Sequence, residues 1–174
     1  LLRSLGLSEY LLKAYPIAVE NVFPNVTRER IDSLRQLFPL QVSNDVSWKR
    51  FGSEGDGGYL LSDDISESDI CISLGIGDNY SFDFDLAKCC KRVLMFDHTI
   101  TPPELLSPNM VFEKVGISGV ESEDFTTIEK IVSNLPAEND LILKIDVEGA
   151  EWEVIESLTV ETLGRFRQIA AEFH

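Results

Sequence analysis

From residue 69 onward, short apolar runs alternate with stretches of helical spacing. Ile70-Cys71-Ile72-Ser73-Leu74 stops at a glycine and predicts a buried strand. Residues 82–90 carry Phe82, Leu86, Ala87 and Cys90 along one helical face. Arg92-Val93-Leu94-Met95-Phe96 predicts a second strand ending at Asp97, and residues 111–117 a third, after a connection holding Pro102, Pro103 and Pro108. Helical spacing returns over 125–135. Leu141-Ile142-Leu143-Lys144-Ile145 predicts a fourth strand, 151–158 a helix and 168–173 a fifth strand. Near-continuous apolar strands alternating with helices predict a mostly parallel sheet covered on both faces, a doubly wound α/β fold.

Residues 1–48 lack this alternation and predict a peripheral helical extension, leaving 49–174 as the main domain. Leu11, Leu12, Ala14 and Tyr15 suggest one short amphipathic helix. Residues 27–38 suggest another, capped by Thr27 and ended by Pro39. Gly52, Gly55, Gly57 and Gly58 then mark a tight turn leading into a short strand at Tyr59.

At 174 residues the chain is long enough for one sizeable core. Fifteen basic residues against thirty acidic give a net charge of −15, and no Lys/Arg cluster exists to displace counterions, so nucleic acid is excluded as a partner. No apolar stretch is long enough for a membrane span. Cys71, Cys89 and Cys90 form no metal-type pair and no complete disulfide framework. Of the sequons at Asn25 and Asn79, the second falls in a glycine loop, where a glycan would block a ligand. The chain begins at Leu1, as expected of a fragment; compartment and oligomeric state stay open.

In a parallel sheet, ligands bind at the carboxyl ends of the strands. There the first strand delivers Gly75-Ile76-Gly77-Asp78-Asn79, whose two glycines permit a sharp turn and close backbone approach. Tyr80 stands where a dinucleotide fingerprint has its third glycine. Asp97 ends the second strand, where a carboxylate can accept hydrogen bonds from ribose hydroxyls. Asp146 comes directly off the fourth strand into the cleft, and Gly149 supplies the turn that follows. Glu148 and Glu151 sit where acids also stabilise a helix start.

The segment from Leu143 to Ile155, Leu-Lys-Ile-Asp-Val-Glu-Gly-Ala-Glu-Trp-Glu-Val-Ile, resembles the hallmark of the FkbM-type class I S-adenosylmethionine-dependent methyltransferases. Ile72 to Asn79 resembles that family's cofactor loop, Met95-Phe96-Asp97 its ribose-binding strand end, and 168–174 its fifth strand. Asp56-Gly57-Gly58-Tyr59 is similar to a segment found in a subset of the family. The resemblance spans roughly residues 49–174. It implies a Rossmann-like sheet, with S-adenosylmethionine contacted by Asp56, Gly75, Gly77, Asp78, Asp97, His98, Gly116, Ile117 and Asp146. It also implies O-methylation of a small-molecule or sugar hydroxyl. Two departures stand out: Ser73 occupies the position where the class carries an acid for the cofactor's amino-acid end, leaving Asp78 or Asp56 for that contact. The sheet is also expected to stop after its fifth strand, short of the family's usual hairpin.

A hydroxyl acceptor must lose a proton, and Asp146, Glu148 and His174 lie at neighbouring strand ends as candidate bases. His174 has the ordinary pKa closest to neutrality. A metal site is not expected, although the three side chains have the right donor types for a divalent ion. Two other functions remain open: a non-catalytic S-adenosylmethionine-binding module and an NAD-dependent oxidoreductase.

Overall fold

The computed structural model describes residues 47–174. The helices expected within 1–46, and the Asn25 sequon, lie outside the described residues. A hairpin opens the described chain, β1 (Trp48–Gly52) and β2 (Gly58–Ser62), so Trp48 belongs to a strand and not to the helical extension. The main sheet follows: β3 (Ile70–Leu74), β4 (Arg92–Phe96), β5 (Met110–Glu113), β8 (Leu141–Ile145) and β9 (Phe166–Ala171). All its pairings are parallel, in the order β5-β4-β3-β8-β9, so strand order reverses between β3 and β8. The α/β architecture with a parallel sheet is as expected. No described helix is long and apolar enough to cross a membrane.

The apolar runs work because both faces of the sheet are buried. Ile70, Ile72, Leu74, Leu94, Leu143 and Ile145 pack on one face against α2 (Ile128–Ser133) and Val154 of α3 (Glu151–Ser157). The intervening Cys71, Val93, Met95 and Ile142 pack on the other, against Phe82 and Leu86 of α1 (Ser81–Ala87). Phe51 and Leu61 of the hairpin join this second cluster, so strands share a layer that the alternation assigned to helices. Each fully buried side chain of this size contributes about 1.5–3 kcal/mol.

Two expected elements are divided. Residues 111–117 do not form one strand: the chain turns where the Val115 amide donates to Glu113, and β6 (Gly116–Ile117) pairs instead with β7 (Phe125–Thr126). Helical spacing over 125–135 yields a helix only from Ile128, because the Thr127 hydroxyl caps it at the Lys130 amide. A short helix, α4 (Val160–Leu163), leads into β9, which begins and ends two residues earlier than the apolar pattern predicts.

Register positions the site. Leu74 of β3 pairs with both Phe96 and Ile145, and Ile145 pairs with Ala171. The residues that follow, Gly75, Asp97, Asp146 and Glu172, therefore leave the sheet together at its carboxyl edge.

Candidate functional site

A cavity of about 690 Å³ opens at this edge, within the range of small-molecule sites. Its floor is the β3–α1 loop, where Gly75 and Gly77 have φ of 72° and 59°. The two glycines do different work. A Cβ on Gly75 would collide with the Asp146 carbonyl, so this glycine lets two strand ends pack; a Cβ on Gly77 would meet nothing, and this glycine serves the turn beside the cavity.

Asp97 lines the cavity and holds that loop. Its Oδ2 accepts from the amides of Ile76 and Gly77, at 2.8 and 3.0 Å, and its Oδ1 from the amide and hydroxyl of Thr99, at 2.7 and 2.6 Å. Burial alone would raise its pKa; these four bonds overcome that and hold it at about 2. Its acceptor sites are thus met within the chain, and a ribose hydroxyl would have to share or displace them. His98 stacks on Phe125 with ring centroids 5.0 Å apart, and Gly116 sits behind that pair and off the cavity wall. Ile117 and Asp78 line the wall. Asp56 also does so, and its carbonyl accepts from the Asn79 amide, which ties the hairpin turn to the glycine loop.

The β8 end carries a second group of side chains. Asp146 Oδ2 accepts from the Tyr59 hydroxyl at 2.7 Å and from Lys144 Nζ at 3.2 Å, while its Oδ1 takes no hydrogen bond among the described residues. Lys144, buried in β8, also donates to the carbonyls of Leu74 and Gly75, so its ammonium is fully engaged. The turn after Asp146 puts Glu148 at φ 53° and Gly149 at φ 105°. Glu148 itself points into solvent.

Glu151 has no exposed surface. It reaches back to the amides of Val147 and Gly149 and so fixes the turn that leads into α3, whose N-cap residue, Ala150, offers no side-chain cap. It also meets His174 Nδ1 at 3.2 Å. Burial opposes its charge, but these backbone bonds and the histidine hold its pKa at about 2. The His174 pKa is raised, first by its bond to Glu151 and then, against a small burial effect, by the charge of Glu148. With Nδ1 held, Nε2 faces Glu148 Oε2 at 3.7 Å.

The three expected bases are therefore brought together. One ligating atom each from Asp146, Glu148 and His174 lies within 4.8 Å of the others, a spacing that also suits a divalent cation. Tyr59, Lys144, Glu151, Glu172 and Asp83 join the site without having been assigned to it from sequence. A lysine inside an otherwise apolar strand, and an acid between Phe82 and Phe84, were the available signals.

Seven carboxylates line the cavity against one lysine and two histidines. No protein-family model matches the chain, and no curated protein matches it.

Proposed function

We propose that this chain is an S-adenosylmethionine-dependent methyltransferase of the FkbM type, acting on a hydroxyl of a small molecule or sugar. The observation that carries this reading is the acidic cavity over a positive-φ glycine loop at the carboxyl edge of a parallel sheet. Seven carboxylates and one fully engaged lysine favour a cationic ligand, and they repel the pyrophosphate of a dinucleotide. S-adenosylmethionine carries a sulfonium and an ammonium against one carboxylate, and supplies an electrophilic methyl group when bound.

The side chains then divide the work. Glu151 accepts the Nδ1 proton of His174 and fixes the tautomer that leaves Nε2 free to take a hydroxyl proton. The imidazolium that results is stabilised by the carboxylates of Glu151 and Glu148. Asp146, held through Oδ2 by Tyr59 and Lys144, offers Oδ1 as a fixed acceptor that orients the incoming hydroxyl.

Calorimetry with S-adenosylhomocysteine and NAD⁺, followed by turnover on a hydroxyl-acceptor panel, tests this reading. The expected outcome is that S-adenosylhomocysteine binds, NAD⁺ does not, and His174→Ala lowers kcat by about 10²–10⁴-fold. NAD⁺ binding without S-adenosylhomocysteine binding would overturn the reading; cofactor binding without turnover would replace it with a binding module. The 4.8 Å cluster favours one variant, in which a divalent cation activates the acceptor. Turnover that survives chelation assigns proton removal to His174 alone, whereas loss restored by Mg²⁺ or Mn²⁺ assigns it to the cation.

A further inference from the structure

Asp83 is the least explained group in the cavity. It sits in α1, is 3% exposed and lines the cavity wall, and its Oδ1 has no hydrogen-bond partner among the described residues. The Ser73 hydroxyl beside it is fully buried, and Asp83 is the one group among the described residues whose charge it eases. Burial raises the Asp83 pKa to about 6, with only partial relief from Ser73 and Lys144. That lysine is already spent on Leu74, Gly75 and Asp146, so Asp83 has no ion pair among the described residues.

A buried carboxylate in this condition is costly unless something pairs with it. Asp69 provides the contrast. It also has one unpartnered oxygen, but its other oxygen accepts from the Ser66 amide and faces Arg167, and it lies off the cavity. Asp83, by contrast, lines the ligand space.

We propose that the Asp83 carboxylate, backed by the buried Ser73 hydroxyl, anchors a primary ammonium group of the ligand that fills this cavity. An ammonium is a compact charge with three donors, suited to a carboxylate that has no cation of its own. Asp83 lies in the helix after the glycine loop and Ser73 stands behind it in the strand before, so a ligand lying over the loop presents one end to Asp83. The inference rests on the methyltransferase reading, under which this ammonium is the α-amino group of the cofactor's methionine part. It assigns to Asp83 the contact that sequence left to Asp78 or Asp56. Both of those acids are exposed, where water screens their charge; Asp83 is buried, where charge acts at full strength.

The test is calorimetry on the full 174-residue chain with two probes. S-adenosylhomocysteine carries the amino-acid end, and 5′-deoxy-5′-methylthioadenosine lacks it. Asp83→Asn is expected to weaken S-adenosylhomocysteine at least tenfold and to change the methylthioadenosine affinity less than twofold. Its unliganded melting temperature should be no lower than that of the parent, because the substitution removes an unpartnered charge. Ser73→Ala should weaken the first probe alone, by about threefold. Equal weakening of both probes, unchanged S-adenosylhomocysteine binding in either variant, or a less stable Asp83→Asn would overturn the inference and make the carboxylate structural. Failure of the parent protein to bind either probe would bring down the methyltransferase reading along with it.

Discussion

Glu151 carries a full charge with no exposed surface, and it can do so because backbone amides and a histidine surround it. The sign of its effect on His174 follows directly. The histidine pKa lies above its ordinary value, so its contact with Glu151 stabilises the fold fully below about pH 6.5 and weakens as pH rises through the raised value. With His174 as base, activity appears as the imidazole loses its proton. The acidic limb of the kcat/KM profile should therefore lie above pH 6.5, and Glu151→Gln should move it down toward 6.5. A limb that stays in place in that variant would remove His174 from the proposed role. Sequence alone placed Glu151 at a helix start, where an acid needs no further explanation. Its burial depends on the packing of the turn from Val147 to Ala150, which no local pattern encodes.

The glycine loop shows the same division among elements. Both glycines have positive φ, but only Gly75 is also pressed against the Asp146 carbonyl. Gly77→Ala should cost about 1 kcal/mol, the left-handed penalty for a residue bearing a Cβ. Gly75→Ala adds a backbone collision and should cost about 3 kcal/mol or more. Urea unfolding of the two variants distinguishes them, and equal losses would contradict the assigned packing. The five sheet strands were legible because fully buried strands leave long apolar runs. The break at Lys114 and Val115 was not, since Val111, Phe112, Val115 and Ile117 suit one strand as well as two. A cap at Thr127 and a pairing with β7 decided the matter, and both require the chain to have folded back.

At the scale of the molecule, titrating groups pull stability in opposite directions. Asp97 and Glu151 have pKa values held at about 2, so each stabilises the fold above its ordinary value near 4 and loses that contribution as pH falls toward 2. Asp83 works against them: with its pKa raised to about 6 it destabilises the fold at neutral pH, by about 3 kcal/mol, and protonation relieves this as pH falls from 6 toward 4. The His174 contribution is complete by about pH 6.5, and repulsion within a chain of net charge −15 eases as the pH falls further. Stability should peak near pH 5 and drop steeply below 4. Asp83→Asn should flatten the slope between pH 5 and 7 while leaving the acid limb unchanged. Thermal melts from pH 3 to 8 measure both, and a maximum at or above pH 7 would contradict the account.

By itself the sequence determined which segments form buried strands and which glycines and acids follow them, because apolar runs and their interruptions are local properties. Tertiary structure alone decided which strand ends stand abreast and which charges lose their water. Tyr59 reaches Asp146 across 87 residues, and Gly75, Asp97 and Asp146 meet only through the pairing of three separate strands. Burial turns Lys144 and Glu151 from ordinary surface residue types into fixed, paired charges, and pushes the Asp83 carboxyl up to about 6. That change depends on neighbours distant in the chain, and only folding brings them into contact.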